Sequence, residues 1–344
     1  MRPKSAAAVA SCAFLALGSA ATAQDSVEQF YKGQTIRIVS GAGAASGYTI
    51  WAHFIAEHLG KHVPGTPRAI VESMAGAGGL IATNWGHNVA PRDGKVVVSV
   101  SRETAALSVL KAKGALFDAT KFNWLGSPTS ETNICAVSKN SPWKNPADYF
   151  TKELLVGTDG VGSGMHIYPV ALNQILGTKF RVIDGYADTG VVLVAADRGE
   201  IDGSCQSAET LLRARGAQLR SGEMRVVIQA GPKPDARFPG VPFALDLART
   251  EDQKQALRFL YSSLAFGRPF VLPPGAPPER VAALQKAFSA MFADPDFLRD
   301  ANRRGYDIEP VSGPDMTRLV DEIAATPRDI VDRVAALIEP PGSR

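Results

Sequence analysis

The sequence predicts an α/β protein of two domains, and two observations support this. Short apolar strands alternate with segments of helical period along almost the whole chain, which favours mainly parallel sheets flanked by helices. Residues 35–59, TIRIVSGAGAASGYTIWAHFIAEHL, run from a strand through a Gly/Ala/Ser loop into an amphipathic helix, and residues 154–172, LLVGTDGVGSGMHIYPVAL, repeat the plan. Because the first N–H groups of a helix lack intrahelical partners, both loops should offer anion-binding helix N-termini.

The other strands and helices follow in order. AIVESM precedes AGAGGLIATNWGHNVA, and KVVVSVSRETAALSVL adds another strand and helix, which makes three such units before residue 120. An extended run around Ile134 to Val137 leads into a second half, in which LLVGT, FRVIDG, IDGSCQ and MRVVIQAG are candidate strands. Segments of helical period separate them.

The last third of the chain is predicted to be largely helical. A stripe of Val281, Leu284, Phe288 and Met291 has helical spacing, and Asp294-Pro295 is typical of a helix start. Further helices should begin near prolines 314 and 327. We expect these helices to return to the first domain, so that domain 1 comprises residues 24–127 plus 261–344 and domain 2 is the inserted segment 128–260. Two sequential domains are the simpler alternative.

The N-terminus is predicted to be an export signal. Residues 1–23 combine basic Arg2 and Lys4, an apolar run and the small-residue site Ala21-Thr22-Ala23, which is typical of a secretory signal peptide. A membrane anchor is disfavoured because no segment reaches about 18 uninterrupted apolar residues. We therefore expect a soluble, exported protein.

The charge balance argues against nucleic acid as a partner. Of 37 basic residues 35 remain after the signal, against 34 acidic ones, and the two signs are mixed along the chain. A sequence-independent grip on a phosphate backbone requires clustered Lys and Arg.

Two cysteines remain after Cys12 leaves with the signal. Cys135 and Cys205 would both be in an oxidising compartment, where a disulfide between them is a hypothesis. Two separate buried thiols are the equal alternative, because the sequence does not give the distance between their Cα atoms.

The sequence comes close to several enzyme motifs but matches none of them. Gly41, Gly43 and Gly47 depart from Rossmann spacing, and no Lys follows to make a Walker loop. Around Ser163, a nucleophile elbow would need glycine at positions 161 and 165, which hold Val and Met, although His166 lies nearby. The spacing of the histidines supports no metal site, and no cofactor is expected.

Arg102 is a candidate ligand contact, since it directly follows an apolar strand, where ligands of open α/β sheets collect. Its guanidinium could bind a carboxylate through two parallel hydrogen bonds. A salt bridge to Glu103 or to a surface acid is the equal alternative.

At this point the sequence resembles a family over nearly its whole mature length: the periplasmic substrate-binding proteins of tripartite tricarboxylate transporters, called TctC or Bug receptors. The resemblance rests on the ordered set YKGQTIRIVSGAGAASGYT, VESMAGAGGLIATNWGHNVAPRDG, VGTDGVGSGMHIYP, GYADTG with RGEIDGSCQSA, and VLPPGAPPERVAALQKAFSAMFADPDF. It implies a type II periplasmic-binding-protein fold, two-lobed and monomeric, that closes on a small carboxylate. The partners implied are the membrane subunits of such a transporter.

The resemblance also implies a set of ligand-binding residues from both lobes. They are Ser46, Gly47, Tyr48, Thr49, Ser101, Arg102, Thr158, Gly162, Ser163, Gly164, Tyr186, Asp188, Thr189, Gln206 and Ser207. The family's first loop commonly reads P-x-G-G-G, then Thr or Tyr, then Asp; here Ala44, Ala45 and Ser46 replace the proline and two glycines, and Thr49 replaces the acid.

The predicted function is therefore a non-enzymatic periplasmic receptor that binds a mono-, di- or tricarboxylate between its lobes and delivers it to a membrane transporter. Two alternatives stay open: an exported hydrolase using Ser163 and His166, and a ligand-sensing subunit of a signalling system.

Overall fold

The computed structural model describes residues 27–231 and 233–338, and the predicted signal peptide lies outside them. The chain forms two β-sheets flanked by helices. The first sheet has six strands: β1 Thr35–Ser40, β2 Arg68–Ser73, β3 Val96–Ser99, β4 Asn123–Ser127, β10 Phe270–Leu272 and β11 Val311–Ser312. The second has five: β5 Asn133–Ser138, β6 Leu154–Thr158, β7 Phe180–Asp184, β8 Gly203–Ser207 and β9 Met224–Ala230.

The described helices alternate with these strands as the sequence predicts. They are α1 Gly47–Leu59, α2 Leu80–Asn88, α3 Thr104–Val109, α4 Gly164–Leu176, α5 Thr189–Asp197, α6 Ala208–Ser221, α7 Glu251–Ser262, α8 Pro278–Phe292, α9 Pro295–Arg304, α10 Gly313–Ala324 and α11 Arg328–Ile338. The three early strand-to-helix units are present, and Asp294 caps α9 with Pro295 at its start. Over the described residues, no helix is long and apolar enough to cross a membrane.

The α/β two-lobed architecture is confirmed, and both sheets are mixed: most strands of each sheet run in one direction, and β5, β10 and β11 run the other way. In the order β11-β4-β10-β3-β1-β2, β1 is parallel to β2 and β3, whereas β10 runs antiparallel to β3 and β4 and β11 antiparallel to β4. In the order β7-β6-β8-β5-β9, β6 is parallel to β7 and β8, and β5 is antiparallel to β8 and β9. The crossings explain the difference, since β5 and β10 each enter a sheet directly from the other lobe.

Two chain segments connect the lobes, which we name after their sheets as lobe 1 and lobe 2. The chain leaves β4 for β5 through residues 128–132 and returns to β10 through residues 263–269. These segments are bonded side by side: Glu131 N donates to Leu264 O (2.9 Å), and Arg268 N donates to Ser127 Oγ (2.9 Å). The last helix, α11, lies against α4 and α7 of lobe 2, and the predicted domain boundaries stay a prediction.

The largest apolar cluster spans both lobes, and smaller clusters belong to one lobe alone. Trp51 and Phe54 of α1 pack on Tyr306 and Phe297, so one face of α1 is fixed against the C-terminal helices of lobe 1. In lobe 2 a disulfide joins Cys135 of β5 to Cys205 of β8, which face each other in the strand register. The ends of α1, β5 and β8 are thereby fixed where the two lobes meet.

Candidate functional site

The two glycine loops meet between the lobes. The first loop ends at Ser46, the N-cap of α1, and the second ends at Ser163, the N-cap of α4. Both helices start at a small cavity of about 30 Å³. Since about 10–15 Å³ of such space holds one water, a ligand of several carbons requires the lobes to stand further apart than here.

The cavity brings together most of the residues that the sequence assigned to ligand binding. Those that line it are Ser46, Gly47, Tyr48, Arg102, Ser163, Gly164, Thr189, Gln206 and Ser207. They come from the N-termini of α1 and α4, from the end of β3, from α5 and from the end of β8. The carboxyl ends of strands from two sheets therefore converge on one point.

The other assigned residues do not line the cavity, and most of their polar groups are used within the protein. Thr49 Oγ1 donates to Ala42 O (3.0 Å) and bonds Ser40 Oγ (2.8 Å), which holds the first loop. Thr158 Oγ1 accepts from Gly160 N (3.0 Å).

Ser101 and Gly162 meet across the two lobes, and Tyr186 packs within an apolar cluster of lobe 2. The Ser101 hydroxyl donates to Glu103 and lies 3.4 Å from the carbonyl of Gly162. These three residues lie around the cavity without lining it.

Asp188 connects the lobes directly. Its Oδ1 accepts from Val191 N (3.0 Å) and caps α5, while its Oδ2 accepts from Ala45 N (3.2 Å) of the first loop. On the opposite side, Gly162 N of the second loop donates to Ala77 O (3.1 Å). Each loop is thus bonded to the lobe it does not belong to, and the structure is a closed form.

A buried charge cluster forms the floor of the cleft. Arg268 Nη2 lies 2.9 Å from Glu131 Oε1 and 3.5 Å from Glu209 Oε2. Arg102 lies 3.5 Å from Glu103 and 3.7 Å from Glu131. All five side chains are buried. Charges removed from water in this way are tolerated only when they are paired, so these arginines already face protein carboxylates.

Tyr48 separates the two arginines. Its hydroxyl accepts from Arg102 N and Nε, both at 3.1 Å, and the Arg268 guanidinium lies 4.8 Å from the ring centre. Burial raises the pKa of Tyr48, which keeps the phenol neutral although Arg102 opposes the shift. Burial by itself would lower the pKa of Arg102, but Tyr48, Glu131 and Glu103 outweigh it and the net pKa is raised. Arg102 is therefore a permanent cation beside the cavity.

The sequence did not single out several residues that the structure places here. Asn133, Asp159, Met165, Thr210 and Arg268 also line the cavity. An acid inside a glycine loop, as in GTDGVGS, and an arginine beside an apolar strand, as in FGRPFVL, are signals that would have identified Asp159 and Arg268. Glu131 and Glu209 carry no such signal, because they come from a crossing segment and a helix start.

The groups of the hydrolase alternative are engaged elsewhere. Ser163 Oγ donates to Gly160 O (2.9 Å), and His166 Nδ1 lies 2.8 Å from Asp184 Oδ1. Within the described residues, one group could hold a metal ion, namely Glu57, His58 and Asp300 on α1 and α9. It is already joined by ion pairs to Arg304.

The protein has the features of a two-lobed binding protein. Two mixed β-sheets flanked by helices are joined by two crossing segments, and a polar cavity lies between facing helix N-termini. The comparisons agree with this class. The model of the family described as tripartite tricarboxylate transporter family receptor, TctC, matches residues 51–336. The chain belongs to this family.

One curated relative and several solved structures are similar to this chain at low identity, and the structures share its fold. A curated protein of Cupriavidus necator, described as a UPF0065 protein in the gbd 5' region, is 25% identical over 311 residues, which are 86% of this chain and 85% of that protein. The structure of the periplasmic binding protein BugD has a TM-score of 0.70 at 17% identity and covers 89% of this chain and 98% of its own. MatC from Rhodopseudomonas palustris, solved with bound malate, has a TM-score of 0.68 at 20% identity, with coverages of 89% and 99%.

Proposed function

We propose that this protein is an extracytoplasmic receptor that binds a small carboxylate between its lobes and delivers it to a membrane transporter. The observation that carries the proposal is the cavity itself, where the N-termini of α1 and α4 meet beside Arg102. In the described part of the chain, no group accepts a hydrogen bond from the backbone N–H of Gly164 or Met165 at the start of α4. Unbonded N–H groups at a helix N-terminus bind anions.

Family membership supports the transport role. Receptors of this family are periplasmic and serve tripartite transporters, and MatC carries malate. We extend to this chain a periplasmic location, a monomeric state and a partnership with the membrane subunits of such a transporter. We also propose that the ligand is released unchanged. Ser163 donates to Gly160 O and His166 contacts Asp184, which favours release over hydrolysis.

The test is titration of ligand-free protein. Protein that has been unfolded, dialysed and refolded is titrated by calorimetry and thermal shift against acetate, butyrate, succinate, malate, citrate and small amino acids, with glucose and ethanolamine as ligands without a carboxylate. A true ligand at a hundred times its Kd should stabilise the fold by about 2.7 kcal/mol. Unchanged ligand, recovered from the complex and identified by mass spectrometry, supports a receptor. Binding of glucose or ethanolamine with no response to any carboxylate would overturn the proposal.

A matched variant locates the binding event. A Cβ on Gly47 would lie 2.6 Å from Thr210 Oγ1 of lobe 2 and 3.0 Å from Arg268 Nη2, so Gly47→Ala should obstruct closure. Gly216→Ala is the control, since a Cβ there meets only the flexible end of Arg220 at 3.2 Å. Loss of binding in Gly47→Ala alone supports a site between the lobes, and equal binding by both variants argues against it.

A further inference from the structure

Five polar atoms of the residues that line the cavity are inaccessible to water and lack a hydrogen-bond partner within the protein. They are Arg102 Nη1, Asn133 Nδ2, Arg268 Nε, Asp159 Oδ1 and Gln206 Oε1. Arg102, Asn133 and Gln206 are 5%, 2% and 3% exposed. Three of the atoms are donors and two are acceptors. Buried polar atoms are normally paired, so a matching ligand must supply acceptors at one end and donors at the other.

The charges around the cavity do not favour a ligand with several carboxylates. The buried floor holds two arginines against three glutamates, and the exposed Arg213, 3.2 Å from Glu209, only brings this set to neutrality. Asp159 in the cavity wall and Asp188 at its edge add further acids. A second or third carboxylate would add to this excess of acids, and a buried charge that lacks an opposite charge is unfavourable.

A protein acid lies close to the anion-binding end of α4. A Cβ on Gly164 would lie 2.5 Å from Glu103 Oε1. Glu103 accepts no hydrogen bond from the first N–H groups of α4 in the described structure, but its negative charge disfavours several ligand carboxylates beside them. Arg102 Nη1 and the N-termini of α1 and α4 therefore suit one carboxylate.

Asp159 provides an acceptor for the end of the ligand that carries hydrogen-bond donors. Residue 159 is half-buried as a whole, yet its Oδ1 is sealed from water and faces the cavity from the second loop. Burial raises the pKa of Asp159, and the nearby carboxylates of Glu103 and Asp188 raise it further. A cation in the cavity would relieve this cluster of acids.

Resting on the proposed function, we infer that the ligand is a zwitterion: a carboxylate held by Arg102 and the helix N-termini, carrying a protonated amine that Asp159 and Gln206 accept. The cavity of about 30 Å³ makes small amino carboxylates the best candidates. Asp159 is the specificity-determining residue for the amine, and a plain dicarboxylate lacks the donor that this end requires.

The experiment uses ligands that differ in one group. Calorimetric affinities are compared for glycine and acetate, for β-alanine and propionate, and for γ-aminobutyrate, butyrate and succinate. In at least one set, the amino acid should bind about tenfold or more tightly than the analogue without the amine, because the contact is a charge-assisted hydrogen bond. Succinate should bind more weakly than γ-aminobutyrate.

Asp159→Asn tests the assigned residue. It should lower affinity for the amino acid about tenfold or more while leaving the analogue without the amine nearly unchanged. Asp321→Asn, an exposed acid on α10 with no side-chain hydrogen bond in the described structure, is the matched control. Circular dichroism and melting curves establish that the variants are folded.

The outcomes separate this inference from the proposed function. If the amino acid binds no more tightly than its analogue in any of the three sets, or if Asp159→Asn leaves the preference intact, the zwitterion is wrong while a carboxylate receptor stands. If no carboxylate of any kind binds, both proposals fail.

Discussion

The two lobes present similar loops to the cleft but support them differently. In lobe 1 the loop before α1 is held by side-chain hydroxyls: Thr49 and Ser73 both donate to Ala42 O, and Ser46 accepts from Tyr48 N. In lobe 2 Ser163 caps nothing, since its hydroxyl turns back to Gly160 O. The support there comes from a disulfide beneath the cleft and from the other lobe.

The difference indicates separate tasks for the two helix N-termini. That of α1 is partly satisfied by its own cap and serves as a fixed wall. That of α4 keeps its first N–H groups unbonded, with Asp159 and Glu103 beside them, and so depends more on a ligand or on closure. Similar sequence patterns thus yield one helix N-terminus that is partly hydrogen-bonded within the protein and one whose first N–H groups are unbonded.

The largest expected effect comes from removing the support of lobe 2. Replacing Cys135 and Cys205 with alanine should lower the free energy of unfolding by roughly 4 kcal/mol, because the bond closes a long loop in the unfolded chain. Ligand affinity should also fall, since the pair lies next to the paired residues Ile134 and Gln206. Urea unfolding measures the first effect and calorimetry the second. A stability change below about 1 kcal/mol would contradict the assigned role, provided that wild type alkylated without reductant shows no free thiol.

The next effect tests the support that the second loop receives from lobe 1. Gly78 has φ +65°, and a Cβ there would collide with the backbone of Gly162 and Ser163. Gly78→Ala should hinder closure of the two lobes. Ligand affinity should therefore fall about tenfold or more, because overpacking typically costs 1–3 kcal/mol. Gly33→Ala is the matched control, with φ +69° and open space around it. Equal affinities in the two variants would mean that the contact is not needed for binding.

The N-cap residues of α1 and α4 should differ by a smaller amount in their contribution to stability. Ser46→Ala removes the cap of α1 and should lower the free energy of unfolding by about 1 kcal/mol. Ser163→Ala loses only a loop hydrogen bond, so its effect on stability should be smaller. Chemical unfolding of the two variants in parallel makes the comparison. The proposed difference between the lobes is wrong if Ser163→Ala is the more destabilising.

The smallest effect is a pH dependence confined to lobe 2. Since the folded state raises the pKa of Asp159, its ionisation destabilises the ligand-free protein. The penalty is absent below the unfolded pKa of about 3.9, grows as pH rises towards the folded pKa and is constant above it. Asp159→Asn should therefore raise the Tm at pH 7 and lose this advantage towards pH 4, whereas Asp321→Asn should follow wild type. A constant advantage at every pH would point to a cause other than ionisation.

Much of the fold could be predicted from local patterns. Alternating strands and helices, the stripe on α8 and the Asp294-Pro295 start of α9 are local signals, and the structure has each of these elements. The antiparallel strands β5 and β10 were not predicted, because strand direction after a crossing depends on which lobe the chain enters. No local pattern contains that information.

The site could be predicted only in part from the sequence, for the same reason. Gly47 and Gly164 belong to recognisable loops, so the helix N-termini could be found. Glu131 and Arg268 lie far apart in sequence and become partners only because the two crossing segments run side by side. Their pairing changes the charge available to a ligand, which is why our proposal narrows the expected mono-, di- or tricarboxylate to a zwitterion with one carboxylate.

By itself, the sequence determined the α/β class, the family and the two loops that face the cleft, because hydrophobic period, turn chemistry and helix starts are written in neighbouring residues. Only the tertiary structure decided how those loops are supported, which acids neutralise Arg102 and Arg268, and which polar atoms remain unpaired. Electrostatic balance in a buried site is a sum over every charge within a few ångströms, and only the folded chain brings those charges together.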